Sequence, residues 1–222
     1  MVTVEADLVC VESRLAAGQI RCPACPQGVL AGWGFARTRR VVGLAGAVRP
    51  RRARCRSCLV THVLLPVTVL LRRAYAAEQI WMALAARAQG VGHRRIAAGL
   101  NVPATTVRGW LRRASGRLEA IRARFIQMAV LIGIDVTIPD EQSYPWGDVV
   151  AAVDAAAAAI GQRFGPAGLV GAVTPAQVMV AVTPAQVMVA VSGGRLLAPD
   201  WPVALPAPFT TPVAPDAPRG NR

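Results

Sequence analysis

The chain has 222 residues, enough for one ordinary domain and a second small one, and it carries 25 arginines, no lysine and 12 acidic residues. The formal charge of +13 sits in one half: residues 1–124 hold 21 Arg against 5 acidic side chains, residues 125–222 hold 4 against 7. So basic a front half attracts phosphate backbones or anionic membranes, and binding of that kind weakens steeply with salt. Residues 1–20 contain Glu5, Asp7 and Glu12 and lack a continuous apolar core, which excludes a secretory signal and predicts a cytoplasmic, nucleoid-associated protein.

The order of parts predicts an α+β protein. An N-terminal segment at 1–19 leads into a small zinc ribbon at 20–71 and a mainly α helix-turn-helix domain at 72–128. A small apolar helical region at 129–198 and a disordered proline-rich tail at 199–222 follow.

Cys22-Pro23-Ala24-Cys25 and Cys55-Arg56-Ser57-Cys58 are two Cys-x-x-Cys pairs separated by 29 residues, with Cys10 left over. In a reducing compartment each such turn aims two thiolates at one ion, and two turns complete a tetrahedron. Cys22, Cys25, Cys55 and Cys58 are therefore the expected ligands of one structural Zn2+, with redox or disulfide chemistry as the alternative. His62, four residues after Cys58, is either a substitute ligand or a half-buried histidine opening a strand.

Residues 29–35 and 39–48 place β-branched and aromatic side chains among glycines, and 59–71 is a nearly continuous apolar run around Pro66. These patterns predict the short strands of a ribbon, whose metal supplies much of the folding free energy. Arg49, Arg51, Arg52, Arg54 and Arg56 repel one another unless a polyanion neutralises them. That favours nucleic-acid contact, chiefly by Arg51, Arg52 and Arg54, over a solvated loop.

From 74 to 88, Ala77, Ile80, Trp81, Leu84, Ala85 and Ala88 recur at helical spacing until Gly90 and Gly92 end the run. A short helix at 93–100 reaches Asn101 at a tight turn, Val102 plugs the space between helices, and Pro103 suits the opening of a helix from 104 to at least 114. That helix buries Val107, Trp110 and Leu111 and presents Thr105, Thr106, Arg108, Arg112 and Arg113. Thr105, Thr106 and Arg108 are expected to read base edges in a major groove, and Arg94, Arg95, Arg112 and Arg113 to grip phosphates. An ordinary helical hairpin with a solvated arginine face is the alternative.

Val107, Leu111, Ala114, Leu118, Ile121, Phe125 and Met128 continue at heptad spacing, interrupted by Ser115-Gly116. Such a stripe either pairs two copies into a homodimer or packs on its own domain. Residues 148–164 predict an alanine-rich helix, and the nonapeptide at 173–181 recurs unchanged at 182–190, a pattern of gene slippage. The stretch 169–191 has spanning length, but Pro175, Gln177, Pro184 and Gln186 make it a poor membrane segment.

The two cysteine pairs, the run Thr61-His62-Val63-Leu64-Leu65-Pro66, then Arg95-Ile96-Ala97, Leu100-Asn101-Val102 and Thr106-Val107-Arg108-Gly109-Trp110-Leu111 resemble the zinc-ribbon and helix-turn-helix head of insertion-sequence transposases. They also resemble small bacterial proteins that carry this head alone. The resemblance covers residues 20–124 and implies a DNA-binding head. It departs at Pro26 and Leu59, where knuckles of this kind usually have glycine. Transposases of this type continue into a ribonuclease-H-like domain with three separated carboxylates. Asp135 resembles the first of these, but Asp140, Glu141, Asp148 and Asp154 follow too closely to supply the others, and 98 residues after Arg124 do not accommodate such a domain.

The expected function is non-catalytic, sequence-specific or semi-specific binding of double-stranded DNA, with structural Zn2+, no small-molecule substrate and no membrane. A zinc-dependent protein-interaction module is the alternative, and a transposase with a truncated catalytic domain a minor one.

Overall fold

The computed structural model describes residues 1–133, 136–164 and 183–201. Among them the chain is a mixed α+β structure with seven helices and two small sheets. The main sheet has the order β1-β6-β5-β2, built from β1 (Val2–Val4), β2 (Leu30–Phe35), β5 (Arg51–Cys55) and β6 (Thr61–Pro66). β1 runs parallel to β6, and β5 is antiparallel to both β6 and β2. β3 (Arg39–Arg40) and β4 (Ala47–Val48) form a separate short hairpin.

Segment 1–19 is part of this unit. After β1, Asp7 caps helix α1 (Leu8–Ala16) by accepting from the Val9 N–H at 2.8 Å, and Val11 and Leu15 share a core with Val2, Val4, Leu30, Ala53 and Leu64. β5 occupies the arginine cluster, outside the stretches where the sequence pattern predicts strands. Its pleat explains this: Ala53 and Cys55 are buried on one face while Arg52 and Arg54 stand on the other, so every second residue satisfies the core.

A second, larger core begins at Val67 and extends to Trp201. It joins α2 (Ala77–Ala88), α3 (His93–Leu100), α4 (Ala104–Ser115), α5 (Leu118–Ile132), α6 (Pro145–Phe164) and α7 (Pro184–Val191). Gly90 follows α2 at φ +80°, a conformation that suits glycine at a helix end. Gly116 separates α4 from α5, so the heptad stripe is two helices rather than one. Val107, Leu111, Ala114, Ile121, Phe125 and Met128 are all buried in this chain's own core. α5 runs through residue 128, where the sequence pattern places a boundary, and packs along α6.

The second copy of the nonapeptide forms α7. Thr183 Oγ1 accepts from the Gln186 N–H and Gln186 Oε1 accepts from the Thr183 N–H, both at 3.3 Å, a reciprocal cap with Pro184 in the first turn. Six consecutive side chains outside that first position, Val187 to Ser192, are buried. Arg73 donates to the Leu197 carbonyl at 2.6 Å, and Arg117 donates to the carbonyls of Ala198 and Pro199. Asp135, the first nonapeptide copy at 173–181 and most of the proline-rich tail lie outside the described residues. Among the described residues no helix is long and apolar enough to cross a membrane.

Candidate metal centre and basic helical face

The two cysteine turns meet at one end of the main sheet. Cys22, Cys55 and Cys58 have Sγ atoms all within 4.8 Å of one another, and Cys22 and Cys58 are 3.7 Å apart. Tetrahedral metal–thiolate bonds of about 2.3 Å give a sulfur–sulfur edge of about 3.8 Å, so this spacing fits a coordinated cation and is far too long for a disulfide. Cys25 is not within that distance of all three but borders the same space. A Cβ on Gly28 would lie 2.5 Å from Cys55 Sγ and 3.0 Å from Cys25 Sγ, so only glycine lets the chain pass between the sulfurs.

The turn around Cys55 stabilises a thiolate. The backbone N–H groups of Ser57 and Cys58 point to Cys55 Sγ at 3.4 and 3.5 Å, and the Cys58 N–H leads in lowering the Cys55 pKa to about 7. Burial raises that of Cys22 to about 11, and burial followed by the nearby Cys55 and Cys58 raises that of Cys25. A divalent cation would supply the charge that holds all of them as thiolates.

His62 is buried at the start of β6, with Nε2 3.4 Å from Cys22 Sγ. Leu59, where the resemblance would place glycine, takes up the left-handed conformation at φ 62°, at a steric cost to leucine.

The arginines between the two cysteine pairs have separate fates. Arg51 shares the parity of Ala53 and Cys55 and so faces α1, where its Nε and Nη2 donate to Glu12 at 2.5 and 3.3 Å and its Nη1 donates to the Gly34 carbonyl at 2.7 Å. It also lies over the Phe35 ring. Arg51 is therefore a fastening between sheet and helix rather than a free cation. Arg54 donates from Nε to the Leu59 carbonyl at 3.0 Å and lies 4.7 Å from the Trp33 ring centroid, while Arg52 is exposed.

In the helical part, Asn101 sits at φ 51°, ψ 47° between α3 and α4, and Val102 is buried beneath the turn. Val107, Trp110, Leu111 and Ala114 fill the inner face of α4, with Tyr75 edge-on to Trp110 at 5.1 Å. Thr105, Arg108, Arg112 and Arg113 are exposed on the opposite face and Thr106 is half-exposed; Arg94 and Arg95 are exposed in the first turn of α3. Arg113 donates back to the Gly109 carbonyl at 2.9 Å. Among the described residues none of Arg94, Arg95, Arg108 or Arg112 pairs with a carboxylate.

Arg108 and Arg112 are brought together with two residues that spacing alone does not flag, Arg87 and His93. The four line a cleft of about 430 Å³ with Trp146, at the start of α6, on its wall. Arg87 is fixed there 5.6 Å from the Tyr144 ring. Helical periodicity locates faces within one helix, whereas this cluster draws on α2, α3, α4 and the chain leading into α6.

Comparison with protein-family models, curated proteins and solved structures found no match to this chain.

Proposed function

We propose that the protein binds double-stranded DNA without catalysis, with α3 and α4 as a helix-turn-helix and a zinc-held ribbon beside them. The observation that carries this is the division of α4: its inner face is fully used by the core, and its outer face offers threonine and arginine with no carboxylate partner among the described residues. Exposed like charges gathered around one cleft raise the free energy of the isolated protein and lower it when phosphates replace water and counterions. Thr105, Thr106 and Arg108, in the first half of α4, are the base-reading residues. Arg112, with Arg94 and Arg95 from α3, takes backbone phosphate.

The cysteines are a structural Zn2+ site. Four thiolate donors on two turns, with backbone N–H groups aimed at sulfur, match the charge and softness of zinc. The metal supplies folding energy, and the chain's own residues make the contacts to DNA.

Selection of random duplexes on the purified full chain tests this reading. Recovered sequences should share a motif, binding should fall steeply with salt, and Arg108→Ala should relax the preference at one position at a cost of about 1–3 kcal/mol. Arg112→Ala should weaken all duplexes alike and lower the salt slope by about one. Retention of no duplex at low salt would overturn it.

A further inference from the structure

The main sheet has one face against α1 and the small core; on the other, Leu65 of β6 and Thr3 of β1 are buried, Leu65 with Val41, Val69 and Ala76, while the β2–β5 side is partly exposed. Ala31, Arg52, Arg54, Thr61 and Val63 stand on that partly exposed side, in register across β2, β5 and β6. The pairing of β2 with β5 shifts register between Gly32 and Gly34, and Gly34 adopts φ +116°, so Trp33 is thrown outward at the bulge. Trp33 is 55% exposed, although an aromatic of that size normally buries most of its surface.

The indole is held in place. Arg54 lies over it at 4.7 Å, and Arg54 is itself fixed by the Leu59 carbonyl of the second cysteine turn. One ring face is engaged by a guanidinium and the remaining exposure is open to solvent. The surroundings are strongly cationic: residues 20–71 contain nine arginines and no aspartate or glutamate. Arg52 and Arg56 are exposed beside this face.

We propose that this sheet face is a platform for an unpaired nucleotide strand, with a base stacked on Trp33 and adjacent phosphates held by Arg52 and Arg56. Charge alone would suit any polyanion. The exposed, oriented indole selects among them, because a duplex keeps its base faces inside the stack whereas a single strand offers them. The shared ligand chemistry is a phosphodiester backbone with free bases, from DNA or RNA. This platform is separate from the α4 face and does not depend on it.

Trp33 also provides the readout. Trp81, Trp110, Trp146 and Trp201 are each no more than 8% exposed, so quenching of the solvent-exposed tryptophan emission reports on Trp33. The full chain is titrated with 12-nucleotide oligo(dT), oligo(U) and a 12-base-pair duplex. Both single strands should quench the exposed component, with half-saturation moving to higher concentration as salt rises; a difference between them identifies the preferred source. Trp33→Ala should abolish the quench and weaken oligonucleotide binding, followed by anisotropy, by roughly 5- to 100-fold, and Trp33→Phe should restore most of the affinity. Arg52→Ala should weaken binding and flatten its salt dependence. Absence of quenching, equal quenching by the duplex, or wild-type affinity in Trp33→Ala would each overturn the proposal. If Trp33→Ala does not fold, the wild-type titration and Trp33→Phe decide it.

Discussion

Arg51 of β5 grips Glu12 of α1 through two nitrogens, at 2.5 and 3.3 Å, and gives its third donor to the Gly34 carbonyl. This places a cation from the middle of a basic run on the inner side of the sheet, with only 16% of its side chain exposed. Arg51→Ala should cost about 1–3 kcal/mol, because the Gly34 carbonyl and the carboxylate both lose a partner. Glu12→Gln should cost less, since Glu12 is 42% exposed and its pairing is screened. Thermal unfolding of the two variants checks the order, and neither should change the salt slope of duplex binding.

Metal dependence separates Cys25 from His62. Cys22→Ser, Cys55→Ser and Cys58→Ser should lose bound zinc, and Cys25→Ser should do so as well if four thiolates hold the ion; His62→Asn should retain one zinc per chain by elemental analysis. Zinc loss from His62→Asn with retention in Cys25→Ser would assign the fourth position to histidine. Chelation should also release the Leu59 carbonyl from its fixed turn and loosen Arg54 over Trp33, which a change in the exposed tryptophan emission would record.

Of the three described non-glycine residues in left-handed backbone, Leu59, Arg72 and Asn101, the first and last are unequally suited to it. Leu59 at φ 62° is 56% exposed, so Leu59→Gly gives up little apolar burial and should raise stability by up to about 1 kcal/mol. Asn101 at φ 51° tolerates that region; Asn101→Gly should be nearly neutral and Asn101→Val should cost about 1–2 kcal/mol. Denaturant midpoints of the three variants test the pattern.

Phe125 is fully buried on α5, whose packing along α6 joins the helices expected to contact DNA to the apolar region after them. Phe125→Ala should destabilise by about 3–5 kcal/mol, and a chain cut after Met128 should lack the sharp thermal transition of the full chain.

The helices at 77–88, 93–100 and 104–115 are legible because apolar residues recur on one face and Gly90, Asn101 and Gly116 stop them. The approach of Cys22, Cys55 and Cys58 is legible because Cys-x-x-Cys spacing fixes which atoms can point together. β5 is not, because arginine suggests exposure, and the small inward residues Ala53 and Cys55 give a weak alternation. β1 and α1 are hidden for another reason: Val2–Val4 is too short to register as a strand without its partner in β6, some sixty residues away. The cleft shared by Arg87, His93, Arg108 and Arg112 depends on crossing angles that no single-helix pattern encodes.

The placement of α7 bears on the order in which the molecule forms. Its buried side chains close the core that α2, α5 and α6 leave open, and the carbonyls just beyond it take up the guanidinium groups of Arg73 and Arg117. A ribosome releases residue 201 long after residue 115. During synthesis α2, α3 and α4 therefore emerge together and pack on one another, while the side of α2 that α7 covers stays open until a segment about seventy residues downstream of α4 has been made.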